Sequence, residues 1–144
     1  MLIGQFRSSL VNKSLLTVPV NFQKQLVEGA FIVQGFDRNI MVLSAESFEA
    51  LYQQVMKMNI ADPSTRLFLR MVLGSATEIK MDKTGRFAIP QTLLEFGGIG
   101  NEVVLVGMGR YFEIWAPEVW HQQEISLQDT EANANRFAAL NLAG

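Results

Sequence analysis

Apolar and polar positions fall into two blocks of the same design, one in each half of the chain. The first block begins with the β-prone LLTVP ending at Pro19, continues as VNFQKQLVEGAF, and closes with FIVQGFDRNIMVLSAESF. The second begins with RFAIP ending at Pro90, continues as QTLLEFGGIGNEV, and closes with VVLVGMGRYFEIWAPEVW. After each proline a short amphipathic run ends in glycine, which predicts a helix with proline at its first position. Each closing segment is an apolar run, a turn around glycine, a second β-rich run and an acid-and-aromatic helix start. Hairpins are therefore expected around 36–39 and 107–110. Each half reads β, β, short helix, β, β, helix.

The likeness extends to single positions. Setting Pro90 on Pro19, an offset of 71, places Phe87 on Leu16, Ala88 on Thr17 and Ile89 on Val18, and brings Lys83 within one position of Lys13. An offset of 72 places Gly107 on Gly35, Arg110 on Arg38, Glu118 on Glu46 and Trp120 on Phe48. Internal self-similarity of this kind marks a duplicated unit. Between the halves, NIADPSTRLFLRMVLGSA predicts a helix capped by Asp62, started by Pro63 and closed by Gly74. Its Leu67, Leu69, Met71 and Val72 predict a largely buried joint. A half of about 70 residues with such short strands rarely makes a sufficient core alone. The two halves are therefore expected to share one barrel-like core by interleaving their hairpins. The segment QDTEANANRFAALNLAG after Leu127 either forms a weak helix carrying Phe137 and Leu140 towards a neighbour or frays.

Composition narrows the function. The 144 residues are 49% hydrophobic and 18% charged, a globular balance. The absence of cysteine excludes disulfides, thiolate metal sites and a cysteine nucleophile. The N-terminal MLIGQFRSSL lacks the apolar stretch of a signal peptide, and no run approaches the ~18 apolar residues that span a bilayer. His121 is the sole histidine and has no partner for a zinc site or a triad. Gly107-Met108-Gly109 lacks the third glycine of a nucleotide loop and fits a hairpin turn, and Glu46 and Glu49 fit first-turn helix acids. Neither a cofactor motif nor an enzyme is expected.

The one concentration of chemistry is the turn 82–85. Asp82 suits the first position of a type I turn and Gly85 the last. Three of the twelve Lys and Arg residues, Lys80, Lys83 and Arg86, fall within seven positions there. One reading is a well-made hairpin with Arg86 paired to Asp82. The other is a loop that offers cations to phosphates and Arg86 to a guanine edge. The net charge of −2 gives no bulk attraction to a polyanion. A lone loop would bind near the non-specific range of about 10⁻⁴ to 10⁻⁶ M. An oligomer holding several loops in register raises avidity by about 10² to 10⁴. DNA binding, if present, is therefore expected only of an oligomer.

With its Asp-x-x-Gly-Arg loop followed by FAIP, the run LGSATEIKMDKTGR and the stretch NEVVLVGMGRYFEIWAPEVW, the chain resembles the MraZ family over residues 1 to about 126. These are bacterial transcriptional regulators. The resemblance implies an α+β fold of two tandem AbrB-like swapped-hairpin repeats sharing a barrel-like β core with short flanking helices. The segments would be 1–58, a first repeat; 59–74, a connecting helix; 75–126, a second repeat; and 127–144, a tail. It further implies a cytoplasmic, nucleoid-associated homo-oligomeric ring without membrane attachment. Such rings bind direct repeats in double-stranded promoter DNA of the division and cell-wall gene cluster, usually repressing it. By the same implication Arg86 is the main contact, Lys80, Lys83 and Thr84 stand beside it, and Asp82 and Gly85 shape the turn.

The first loop departs from the pattern, because Val11, Ser14 and Leu15 stand where the family has acid, glycine and arginine. Lys13 alone remains as a weak contact, with Asn12 and Arg7 expected to assist it. This loop is either a new protein contact or a buried strand extension. Two readings follow: a DNA-binding ring working through one loop, and a ring-forming relative acting through protein contacts. A single-copy AbrB-type antitoxin fits less well, since those carry one element and a toxin-binding tail.

Overall fold

The computed structural model describes residues 1–140. Fourteen elements follow in the order β1 (Gln5–Ser9), β2 (Leu15–Thr17), α1 (Val20–Leu26), β3 (Ala30–Gln34), β4 (Ile40–Ser44), α2 (Ala45–Val55), α3 (Pro63–Ser75), β5 (Thr77–Ile79), β6 (Arg86–Ala88), α4 (Gln91–Phe96), β7 (Glu102–Gly107), β8 (Tyr111–Trp115), α5 (Pro117–Gln128) and α6 (Thr130–Ala138). The β-β-α-β-β-α reading holds in both halves. Pro19 and Pro90 sit one position earlier than expected, at the N-caps of α1 and α4 with ψ near 140°.

The strands form a six-stranded antiparallel sheet, ordered β1-β7-β8-β4-β3-β5, and a two-stranded ribbon of β2 and β6. Exchanging each strand for its counterpart in the other half reverses the sheet order onto itself. β1 of the first half pairs with β7 of the second, β5 of the second pairs with β3 of the first, and β4 pairs with β8. The local two-fold passes between Met41 and Glu113 in the sheet and between Leu16 and Phe87 in the ribbon, where counterparts face each other. The sheet ends in free edges at β1 and β5, so the core is a sheet covered by a ribbon and not a closed barrel.

Alternation in the central strands explains the layers. Ile40, Val42, Phe112 and Ile114 point into the main core, which the ribbon and the short helices cover with Leu16, Phe87, Phe22, Leu93 and Leu94. Phe22 packs against Phe6 and Phe112, with ring centroids 5.2 and 5.1 Å away. Burying one such side chain stabilises by roughly 1.5–3 kcal/mol. On the opposite face α2 covers Val33, Met41 and Leu43, while α5 covers Val104, Val106 and Trp115. Phe48 stacks on Phe31 at 4.1 Å, and its counterpart Trp120 meets Trp115 at 5.4 Å.

Two expectations about α3 are corrected. Asp62 caps the helix and Pro63 starts it, but the helix continues through Gly74 to Ser75. It is not largely buried: Thr65 and Val72 face inward, whereas Leu67 is 68% exposed. The reason is phase, because at about 100° per residue Leu67 projects away from the stripe that Thr65, Phe68 and Val72 share. The tail does form a helix, and it packs on its own chain. Asp129 caps α6 through Ala132 N–H, and the buried Asn133 donates to the Ser126 and Leu127 carbonyls. Phe137 and Leu140 stay exposed, and residues 141–144 of the expected tail lie outside the described residues.

Candidate nucleic-acid interface

The turn between β5 and β6 is closed by backbone bonds from Asp82 N–H to Arg86 C=O (2.8 Å) and from Gly85 N–H to Asp82 C=O (3.1 Å). The Asp82 carboxylate then gathers the loop onto one oxygen. Its Oδ1 accepts from Thr84 N–H at 2.8 Å, Thr84 Oγ1 at 2.6 Å and Arg86 N–H at 3.0 Å. The Thr84 hydroxyl and the Arg86 backbone N–H hold this fully exposed carboxyl below its ordinary value. Lys80, Lys83 and Thr84 are all exposed around it.

The pairing of Arg86 with Asp82 that a plain hairpin would favour is not what forms. Among the described residues Arg7 forms an ion pair with Glu124 (3.9 Å), and His121 Nδ1 lies 3.8 Å from the same carboxylate. The Arg86 guanidinium instead donates from Nε to Thr17 Oγ1 at 3.0 Å. Thr17 and Arg86 are cross-strand partners in the ribbon.

The first half also shapes this loop. Gly85 has φ +77°, a conformation that side chains disfavour, and the Gln23 side-chain amide from α1 lies where a Cβ would go. Gln23 Nε2 donates to Val18 C=O at 2.9 Å, and Val18 N–H donates to Gly85 C=O at 2.9 Å. Gln23, Glu28, Lys80, Asp82, Lys83 and Gly85 line a polar recess beside the loop.

The first loop keeps the same closing bonds without the same residues. Val11 N–H donates to Leu15 C=O (2.8 Å), Ser14 N–H to Val11 C=O (3.3 Å), and Ile89 N–H to Ser14 C=O (2.9 Å). With glycine gone, the left-handed backbone moves to Asn12 (φ 50°) and Lys13 (φ 68°). Both are exposed, so the segment is a tight turn and not a buried strand extension. Leu15 pairs across the ribbon with Ala88, the apolar counterpart of the Arg86–Thr17 pair.

Lys80, Asp82, Lys83, Thr84, Gly85 and Arg86 thus belong to one loop. Lys13 tips the other loop, at the opposite end of the antiparallel ribbon. Arg7 lies on β1, with its guanidinium 3.9 Å from the Glu124 carboxylate of α5. Thr17 and Gln23 were missed by sequence reasoning. Antiparallel pairing about Leu16 and Phe87 puts Thr17 opposite Arg86, and that register was the available signal.

Away from the loops, an apolar cleft of about 880 Å³ lies between α2, α3 and the β7–β8 turn, lined by residues including Phe36, Leu51, Phe68, Met108 and Tyr111. Phe36, at its rim, is 61% exposed and stacks on Phe68 at 6.0 Å. Near the sheet's two-fold, Glu113 is a buried carboxylate whose Oε1 accepts from Trp115 Nε1 at 3.0 Å. Burial pushes this carboxyl above its ordinary value, against the opposing pull of the indole bond. Among the described residues no group of three or more His, Cys, Asp or Glu is arranged to hold a metal, and no helix is long and apolar enough to cross a membrane.

A family model described as "MraZ protein, putative antitoxin-like" matches residues 72–140. That span holds the intact loop and continues past residue 126, where the resemblance was expected to stop. Curated relatives align over nearly the whole chain. The transcriptional regulator MraZ of Roseiflexus castenholzii is 38% identical over 138 residues, 96% of this chain and 94% of its own. The protein of that name from Thermomicrobium roseum is 32% identical over 141 residues, 97% and 99% of the two chains. That from Clostridium acetobutylicum is 28% identical over 142 residues, 99% and 100%.

Proposed function

The chain belongs to the MraZ family, and from that membership we propose that it is a transcriptional regulator that binds double-stranded DNA through the Arg86 loop. The observation that carries this reading is the division of labour between Asp82 and Arg86. The acid is spent on backbone and hydroxyl donors. The guanidinium is tethered at Nε alone, and Lys80 and Lys83 stand exposed beside it. Phosphates are met by Lys80, Lys83 and the Thr84 hydroxyl, and a base edge by Arg86. Lys13 adds one phosphate contact from the first loop.

The repeats at 1–58 and 75–126, joined by 59–74, act as tandem AbrB-like swapped-hairpin elements, with 127–144 as an added tail. The protein works in the cytoplasm on the nucleoid, as a closed ring on promoter direct repeats of the division and cell-wall cluster, and represses it. The weak cationic charge of a single loop supports the ring, since only several loops in register bind firmly. A second reading, a ring that acts through protein contacts, is favoured by the exposed apolar side chains of Phe36 and Met108 at the cleft.

Salt-dependent binding to a duplex bearing tandem promoter repeats tests the first reading. Each phosphate contact contributes about −0.9 to the log–log slope. We expect a multi-phosphate slope, with specific binding abolished by Arg86→Ala in a protein of unchanged oligomeric size. Binding indifferent to Arg86, or none at low salt, transfers the assignment to the second reading.

A further inference from the structure

We propose that Thr17 is a positioning residue for base recognition: its hydroxyl fixes the Arg86 guanidinium so that the two terminal nitrogens meet a guanine edge together. This rests on the DNA-binding reading above and goes beyond it, assigning part of the specificity to the half whose own loop lacks the arginine.

Three observations converge. The Arg86 Nε–H is bonded to Thr17 Oγ1 at 3.0 Å, and both residues are half-buried in the ribbon. With Nε occupied, the donors left to Arg86 are on Nη1 and Nη2, the parallel pair that matches guanine O6 and N7. The hydroxyl lies directly across the strand pair, so backbone register sets its place and not a flexible loop. An arginine side chain otherwise has several soft torsions to order on binding, at a cost that pre-organisation removes. The counterpart position makes the contrast. There Ala88 faces Leu15, with neither a hydroxyl to hold nor a guanidinium to be held. The hydroxyl and the guanidinium occur together in one half-site and are absent together from the other.

The experiment uses the full-length protein in its assembled form. A duplex is selected by the wild type from a random-sequence pool, and each guanine is then replaced in turn by 7-deazaguanine, which lacks the N7 acceptor. We expect one replacement per repeat to weaken wild-type binding about tenfold. In Thr17→Val, which keeps the shape and removes the hydroxyl, that penalty shrinks towards unity while the salt slope stays unchanged. Thr17→Ser restores the penalty.

Three outcomes overturn the proposal. One is a Thr17→Val protein that keeps the full 7-deazaguanine penalty. Another is a loss shared equally by scrambled duplex and accompanied by a shallower salt slope, which marks a general loss of loop structure. The third is a wild type indifferent to every guanine replacement. Arg86→Ala separates this failure from that of the parent reading. If Arg86→Ala loses selectivity and Thr17→Val does not, only the positioning role falls; if Arg86→Ala retains it, both fall.

Discussion

Gly85 is the point where the two halves can be tested against each other without DNA. Replacing it by alanine has two separable costs. The backbone stands at φ +77°, where a Cβ costs about 1–2 kcal/mol. The new methyl also meets the Gln23 amide, which must leave its 2.9 Å bond to the Val18 carbonyl. Losing that half-buried hydrogen bond costs about 1 kcal/mol. Gly85→Ala should therefore lower stability by about 2–3 kcal/mol, the sum of the backbone and hydrogen-bond terms. Gln23→Ala alone should cost about 1 kcal/mol by the lost bond. In the double variant the clash has no partner, so its loss should fall about 1 kcal/mol short of the sum of the singles. The assay is urea unfolding of the four proteins at one fixed protein concentration, because assembly makes stability concentration-dependent. Additive losses would refute the contact between α1 and the loop. A Gly85→Ala protein as stable as the wild type would refute the left-handed turn itself.

Glu113 should give the folded chain a pH dependence of definite sign. Burial raises its folded-state value, so the folded state holds the proton over the interval above the ordinary carboxylate value. The stability linked to protonation is complete below that ordinary value and is lost as pH rises through the raised one. Glu113→Gln keeps a carbonyl for the Trp115 indole N–H, and should melt higher than the wild type at pH 8, with the gap closing near pH 4. A gap that widens on acidification would contradict the assignment. For the first loop, Val11→Asp, Ser14→Gly and Leu15→Arg together should rebuild a second contact, steepening the log–log salt slope by about 1 per added phosphate contact. Unchanged DNA affinity and slope would mean that the first loop does not reach the duplex.

The element order was legible because the punctuation is strong. Proline before each short helix, glycine in each hairpin and Asp62-Pro63 before α3 are local signals that tertiary packing did not override. What failed was local in another sense. Counting Leu67 among the buried residues of α3 used its hydrophobicity and ignored its angle around the helix. Barrel closure was inferred from the need for a shared core, yet a sheet with a ribbon laid over it serves that need. The loop residues 80–86 were legible as a cluster, since turn chemistry and charge lie within a few positions. Thr17 is 69 residues from Arg86, and only the ribbon register brings them together. The burial of Glu113 depends on what covers that face of the sheet, and alternation along Phe112-Glu113-Ile114 alone reads as an exposed acid.

The crossed strand order has a consequence for how the chain is made. During synthesis β1 leaves the ribosome long before its partner β7, which begins only at Glu102. The β3–β4 hairpin can close early, but its outer edge stays bare until Thr77–Ile79 arrives. A nascent chain therefore carries unpaired β-forming edges until β5 and β7 have been made, a state prone to pairing with the wrong neighbour. Polysomes bring several such chains close together. Whatever covers those edges until β7 arrives limits that mispairing, and stability gained only in the finished fold comes too late to do so.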